Sequence, residues 1–266
     1  MLWQRVLTAC IMIPLILWVL FGASSLVFQI VVTCIALLGA WEWSNLMKLK
    51  GWWQRLAFVI LILILLAVFY YFAPLIIIYL GVIFWFVSFF LLYQFSHQQH
   101  KLFDSRIGQI ILGVFVLIPF SVGFFALNAM PDHKVNILLL LLSIAACDSG
   151  AYFVGRLMGK HKLAPAISPG KTIEGLVGGA MITLVVVAIA CNIIGYSVEH
   201  SLWLLLICLI TALISVMGDL FESAMKRHAG VKDSGRLLPG HGGILDRIDS
   251  YTAGVPFFAL ALFLLS

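Results

Sequence analysis

Charge is scarce in this sequence: only 10% of its 266 residues are Asp, Glu, Lys or Arg, while 63% are hydrophobic. That leaves too little polar surface to cover a soluble globule of this size, so a bilayer is the expected solvent. Acids are fewer than bases, 11 against 16. No basic soluble module interrupts the apolar chain, which excludes docking to duplex nucleic acid. The five cysteines (Cys10, Cys34, Cys147, Cys191, Cys208) lack any CxxC spacing and all sit in apolar runs. Neither a disulfide frame nor a zinc site is indicated, and the thiols read as small packing residues. Internal repeats and low-complexity linkers are also missing.

What is present is a series of long apolar runs. A helix needs roughly 20 apolar residues to cross the hydrocarbon core. Nine runs qualify, near 6–21, 26–44, 56–72, 75–95, 107–127, 136–155, 176–196, 202–220 and 250–266. The third and fourth are separated at Ala73-Pro74, because the combined run is too long for one crossing and proline is disfavoured inside a helix. The expected fold is therefore all-α and polytopic, with about nine transmembrane helices. Positive charge is retained on the cytoplasmic side of short loops. With the N-terminus inside, Arg5, Lys48, Lys50, Arg55, Lys101, Arg106, Arg156, Lys160, Lys162, Lys171, Lys226, Arg227, Lys232, Arg236 and Arg247 all fall on that side, and only Lys134 falls outside. The predicted topology is N-terminus cytoplasmic and C-terminus extracytoplasmic. The net charge of +5 then becomes a lopsided cytoplasmic field suited to anionic lipid headgroups or nucleotides. The first run has the flanks of a cleavable signal peptide, but the charge-consistent topology favours an uncleaved anchor.

Two regions are expected. Residues 1–135 are nearly pure hydrophobic hairpin, with Trp41, Trp43, Trp52 and Trp53 read as interface anchors and His97 and His100 as solvated or headgroup-facing loop residues. Residues 136–266 carry three polar interruptions, all expected on the cytoplasmic side. The first is Asp148 with Ser149, Gly150, Ala151 and Tyr152, inside an apolar run. A carboxylate at the bilayer centre costs roughly 2.5 to 3.5 kcal/mol on insertion scales. A cation, a basic partner, a water-filled cavity or an interhelical hydrogen bond would compensate Asp148. The second interruption is Ser168-Pro169-Gly170-Lys171-Thr172-Ile173-Glu174-Gly175. Pro169 and Gly170 predict a turn, and Thr172 and Glu174 a helix start whose free N–H groups suit phosphate. The P-loop spacing GxxxxGK[ST] is absent.

The third interruption, Ser223 to Asp249, is dense in acids and bases. Asp246 and Asp249 are three apart and share a helical face, as do Asp219 and Glu222 just before them. Paired carboxylates with water and substrate phosphates are what magnesium prefers. Lys226, Arg227, Lys232, Arg236 and Arg247 would neutralise phosphates, and the glycines around His241 permit close backbone approach. Composition alone is equally compatible with a solvated loop.

The residues add a more specific reading. Ser223, Lys226-Arg227, Lys232-Asp233, His241-Gly242-Gly243, Asp246-Arg247 and Asp249 resemble the signature of the phosphatidate cytidylyltransferases (CDP-diacylglycerol synthases) of bacteria. Ser168-Pro169, Lys171-Thr172, Glu174-Gly175 and Asp148 to Tyr152 are similar to two further elements of that family. The resemblance implies conversion of CTP and phosphatidate to CDP-diacylglycerol and pyrophosphate in phospholipid synthesis, at the cytoplasmic side of the inner membrane. It implies magnesium dependence, with a monovalent cation such as potassium as a second ion, and a homodimer. Carried onto this sequence, Asp246, Asp249, Lys226, Arg227 and Arg247 become catalytic candidates. Ser168, Lys171, Thr172, Ser223, Lys232, His241, Gly242 and Gly243 become candidates for binding the substrate phosphates. Asp219, Asp246 and Asp249 become metal ligands, with Asp148 and Glu174 as further ones. A CTP-dependent polyprenol or phytol kinase is a neighbouring alternative. An ion or solute transporter is an alternative of another class, although the paired broken helices it calls for are absent.

Overall fold

The computed structural model of the chain describes residues 2–98, 101–235, 237 and 242–265, with side chains from Cys10 onward. His100, Arg236, His241 and the side chain of Arg5 lie outside that set. Each of the nine apolar runs falls on its own helix: α1 (Leu2–Phe21), α2 (Ser25–Leu46), α3 (Trp52–Phe72), α4 (Pro74–Ser96), α6 (Arg106–Ala129), α7 (His133–Met158), α8 (Ile173–Ile194), α9 (Val198–Ala229) and α10 (Leu245–Leu265). A one-turn helix, α5 (Lys101–Asp104), precedes α6. Among the described residues, eight helices, α2 to α4 and α6 to α10, are long and apolar enough to cross a membrane. The described apolar part of α1 is Cys10–Phe21. The break before Pro74 is as the sequence predicts, since proline occupies the first turn of α4, where its missing N–H is harmless. Hydroxyl caps start several helices: Ser24 accepts from Val27 N–H, Ser105 from Gly108 N–H and Ser197 from His200 N–H.

Two elements differ from expectation, and both build the site. The eighth run does not end at 220. Its helix α9 continues through Ala229 and stops at Gly230, whose φ of 73° is the left-handed geometry that glycine adopts at low cost. At 32 residues, α9 is about 48 Å long against a hydrocarbon core of roughly 30 Å, so it overreaches the core. Its polar end is therefore rigid helix and not loop. The second difference is an antiparallel hairpin between α7 and α8, formed by β1 (Lys162–Ala164) and β2 (Ser168–Thr172). Pro169 and Gly170 lie within β2. The turn is 165–167, closed by Ile167 N–H donating to Ala164 C=O at 3.1 Å. A two-stranded sheet consists of edges, and an edge tolerates proline.

α7 and α8 pack face to face along small residues. A Cβ added at Gly179 would lie 2.6 Å from the Cys147 carbonyl oxygen, and one at Gly150 would crowd Ile182 and the Gly179 backbone. Small residues at such contacts let two membrane helices approach closely. α10 is central, packing on α9, α6, α4, α7 and α2. Trp43, expected as an interface anchor, is instead fully buried and donates its ring N–H to the Gln109 carbonyl at 2.9 Å. Trp52 and Trp53 are exposed and stacked on each other at the start of α3, consistent with an interfacial position.

Candidate active site

The last turns of α9 carry Asp219, Glu222, Ser223 and Lys226 at intervals of three and four, so the four side chains share one face. Lys226 Nζ donates to Glu222 Oε2 at 3.1 Å and to Asp246 Oδ1 at 2.7 Å. Ser223 Oγ donates to Asp219 Oδ1 at 3.2 Å. Lys171, brought in by β2, reaches the same face from the other side and pairs with Asp219 Oδ2 at 2.7 Å. Both lysines at this face are thus tied to named acids. Pairing is what makes burial of such charges tolerable.

Among the described residues, Asp246 is the most heavily bonded acid of this cluster. Its Oδ2 accepts from Ser234 N–H at 2.9 Å, from Ser234 Oγ at 3.0 Å and from Gly243 N–H at 2.8 Å, in addition to the Lys226 bond on Oδ1. Gly242, at φ 85°, permits the turn that aims the Gly243 N–H inward, and a Cβ there would press on Asp246 Oδ2. Three N–H donors, and a Ser234 hydroxyl whose one proton is shared with Glu42 Oε2, leave Asp246 little free lone-pair capacity. It orders the segment before α10 and orients Lys226.

A second carboxylate does similar work from an unexpected place. Glu42, on α2, is buried and accepts from Ser234 Oγ at 3.1 Å, Ile244 N–H at 3.1 Å and Leu245 N–H at 2.8 Å. The last two are unsatisfied donors at the start of α10, where a negative charge is favoured. Residues 1–135 seemed to offer almost no chemistry, yet Glu42 organises the signature segment. The signal was available: Glu42 is the only acid in the run 26–44, the same oddity that singled out Asp148.

These groups face a cavity of about 710 Å³ between α7, the hairpin, α9 and α10. Its acids are Asp148, Asp219, Asp233, Asp246 and Asp249, and its bases Arg156, Lys171, Lys226 and Arg247. Asp148 is compensated in two of the expected ways, since it opens onto this polar space and accepts from Ser250 Oγ across the helix interface at 3.2 Å. Asp219 is near enough to Asp148 and to Asp249 to repel each of them. Glu222 lies behind them, buried, with Oε1 lacking any hydrogen-bond donor among the described residues. Ser168 and Thr172 also line the cavity, and Thr172 caps α8 by accepting from Gly175 N–H at 3.1 Å.

Several sequence candidates stand elsewhere. Glu174 is absent from the cavity lining and holds the base of the hairpin, accepting from Lys160 N–H at 3.0 Å and contacting His161 Nδ1 at 2.6 Å. Its oxygens are thereby drawn away from the other acids. Arg227 falls on the neighbouring face of α9 and donates from Nε to the Ile167 carbonyl at 3.3 Å, tying the hairpin turn to the helix. Lys232 is exposed and outside the lining, and Ser223 reaches the site only through Asp219. Asp233, Arg156, Ser234 and Ser250 join the site without having been singled out as binding residues.

The lining residues suit a divalent ion of the magnesium type in one specific way. Among the described residues, no three acids are grouped tightly enough to enclose an ion alone. Magnesium needs only one or two carboxylates and completes its shell with water and phosphate oxygens. Asp219 and Asp249, with Asp148 beside them, have the free capacity that Asp246 lacks.

Helices that cross a membrane, converging on a polar cavity of paired acids and bases, define a membrane enzyme of phosphate chemistry. Comparison with known proteins gives the family: the profile of the cytidylyltransferase family matches residues 3–265, and the chain belongs to that family, making it a nucleotidyltransferase. It is 35% identical to a phosphatidate cytidylyltransferase of Haemophilus influenzae, over 99% of each chain. It is 34% identical to the enzyme of the same name from Pseudomonas aeruginosa, over 98% of this chain and 97% of that one. A phosphatidate cytidylyltransferase of Staphylococcus saprophyticus is 51% identical over 144 residues, 53% of this chain and 55% of that one.

Proposed function

We propose that the chain transfers the cytidylyl group of CTP to phosphatidate, giving CDP-diacylglycerol and pyrophosphate, at the cytoplasmic face of a bacterial inner membrane. The observation that carries this reading is the cavity, where four bases and five acids face one another in a space of about 710 Å³, within the range of small-molecule sites. The name of the full-length relatives supplies the substrate pair. The bias of positive charge along the sequence supports a cavity on the cytoplasmic side, where CTP is made, with the diacyl tails remaining in the leaflet.

In the reaction, an anionic oxygen of the phosphatidate phosphate forms a bond to the α-phosphorus of CTP. The bond from that phosphorus to the bridging oxygen of the β-phosphate breaks, and pyrophosphate departs. The attacking oxygen is already ionised near neutral pH, so no strong general base is required. Positioning and charge control are the chain's tasks. Lys171 and Lys226, held on rigid elements by Asp219 and by Glu222 and Asp246, present ammonium groups to the phosphates, and Arg247 adds to them. Asp246 and Glu42 fix the segment that carries Gly242 and Gly243 against the nucleotide. Magnesium held by Asp219 and Asp249 would supply neutralisation of phosphate oxygens and in-line orientation. The family resemblance extends the proposal to a homodimer.

Purified protein given phosphatidate, magnesium and CTP labelled in the cytidine ring should yield a labelled lipid, and Asp246→Asn should abolish most of it. Absence of label in lipid from folded wild-type protein would sink the assignment. Release of CDP with an unlabelled phosphorylated lipid would indicate a lipid kinase instead.

A further inference from the structure

Arg156 stands apart from the two lysines of the cavity. Lys171 is paired with Asp219, and Lys226 with Glu222 and Asp246. Among the described residues no carboxylate lies within ion-pair distance of Arg156. It is held by a neutral group, donating from Nη1 to the Tyr152 hydroxyl at 3.0 Å. The two residues are one helical turn apart on α7, both line the cavity, and both are exposed. A guanidinium oriented by a hydroxyl and left without a counter-charge is a site prepared for an external anion. Its planar donors suit the oxygens of a phosphate.

The surroundings indicate which phosphate. Arg156 lies in the last turn of α7, two residues before its end, and the turn is apolar and unprotected: Leu157 is 82% exposed and Met158 66%. Ile173 and Val177, on the adjoining α8, are exposed as well. Exposed apolar side chains at the end of a membrane helix face acyl chains, and an arginine there reaches up to the headgroup level. A nucleotide gains nothing from that rim, whereas a diacylglycerol phosphate can lay its tails along α7 and α8 with its phosphate at Arg156.

We infer that Arg156, oriented by Tyr152 at the α7–α8 rim of the cavity, binds the phosphate of the lipid substrate and marks the side from which the lipid enters. This rests on the proposed reaction for its substrate, but is testable apart from it. The full-length protein is compared with Arg156→Ala, Arg156→Lys and Tyr152→Phe in two measurements. In the first, thermal stabilisation by dioctanoyl phosphatidate is read without CTP or metal, with dioctanoyl phosphatidylcholine as control. Wild type should be stabilised selectively by phosphatidate, and Arg156→Ala should lose that response. In the second, the KM for phosphatidate should rise about ten- to a hundredfold in Arg156→Ala, as for loss of a charged hydrogen bond, with the KM for CTP unchanged. Arg156→Lys keeps the charge without the fork and guards against misfolding. It should lie between, and Tyr152→Phe should show the mildest rise. A matching rise in the KM for CTP would assign Arg156 to the nucleotide and overturn the inference. So would an unchanged phosphatidate response in Arg156→Ala, or wild type that does not distinguish the two lipids. If wild type binds phosphatidate through Arg156 but makes no cytidylyl lipid, the reaction fails and the inference stands.

Discussion

Glu42 Oε2 accepts the backbone N–H of Leu245 at 2.8 Å, across 203 residues of chain. The bond joins the second helix to the first residue of the last one, α10. With the bonds from Ser234 and Ile244 to the same carboxylate, it makes the N-terminal helices part of the active site's scaffold. They are more than a membrane anchor for a C-terminal catalytic region.

Replacing Glu42 tests this link. Glu42→Ala would leave the Ile244 and Leu245 N–H groups without an acceptor, while the Ser234 hydroxyl keeps Asp246, and hydrogen bonds to charged groups are worth about 1.5 to 3 kcal/mol each. A large fall in melting temperature in detergent is expected, together with loss of cytidylyl transfer. Glu42→Gln keeps an acceptor oxygen and the packing, so it should recover much of the stability and part of the activity. Equal behaviour of Glu42→Gln and Glu42→Ala would show that packing, and not the acceptor, is what matters.

Lys171 and Asp219 make the opposite kind of pair. Both side chains are partly exposed, at 23% and 29%, and such pairs contribute only about 0 to 1 kcal/mol to stability. Removing a group aimed at transition-state charge, by contrast, lowers turnover on the order of 10²- to 10³-fold. Lys171→Met should therefore melt close to wild type while losing roughly that factor in kcat. A variant that melts much lower but turns over normally once folded would make Lys171 a structural residue.

The outline of the molecule was legible because membrane helices announce themselves: a continuous apolar run is a local property, and every one of the nine runs became a helix. The acids and bases of Ser223 to Asp249 were legible for the same reason, as polar residues in an apolar chain. What could not be read was which polar residue meets which. Asp246 and Asp249 share a helical face, yet Asp246 is saturated by Ser234, Gly243 and Lys226 whereas Asp249 faces the cavity with Asp219. That difference depends on a loop folding back, which no periodicity encodes. Arg227 was grouped with Lys226 by adjacency. A rotation of about 100° per residue in a helix sends the two side chains to different partners, Ile167 for one and Glu222 and Asp246 for the other. Pro169 and Gly170 looked like a turn and lie in a strand, since proline and glycine are compatible with both and only the pairing with β1 decides.

The two kinds of acid should separate when metal is varied. Chelation should abolish activity and magnesium restore it, because five acids against four bases cannot receive two polyanions unaided. Asp219→Asn should raise the magnesium concentration needed for half-maximal activity while leaving the melting temperature of the metal-free protein nearly unchanged. Asp246→Asn should lower that melting temperature, because it weakens the acceptor for Lys226, Ser234 and Gly243. If Asp246→Asn melted like wild type and only its magnesium requirement changed, Asp246 would be a metal ligand after all.

The contact between α9 and α10 gives the last prediction. Asp219 and Asp249 are brought together because the helices that carry them touch at Gly218, where an added Cβ would collide with the Asp249 carbonyl. Backbone cannot move aside as a flexible side chain can, so Gly218→Ala must push the helices apart. Overpacking of this kind costs typically about 1 to 3 kcal/mol, and the displacement falls directly on the carboxylate cluster. Gly218→Ala should therefore lose activity beyond its loss of stability and require more magnesium, as Asp219→Asn does. Gly170→Ala is the matched control: it also lines the cavity, but nothing lies within 4 Å of the position its Cβ would take. It should fold and turn over like wild type. Melting curves and magnesium titrations of the two variants side by side would check both halves of the expectation, and full activity in Gly218→Ala would mean that the spacing of α9 and α10 does not set the geometry of the site.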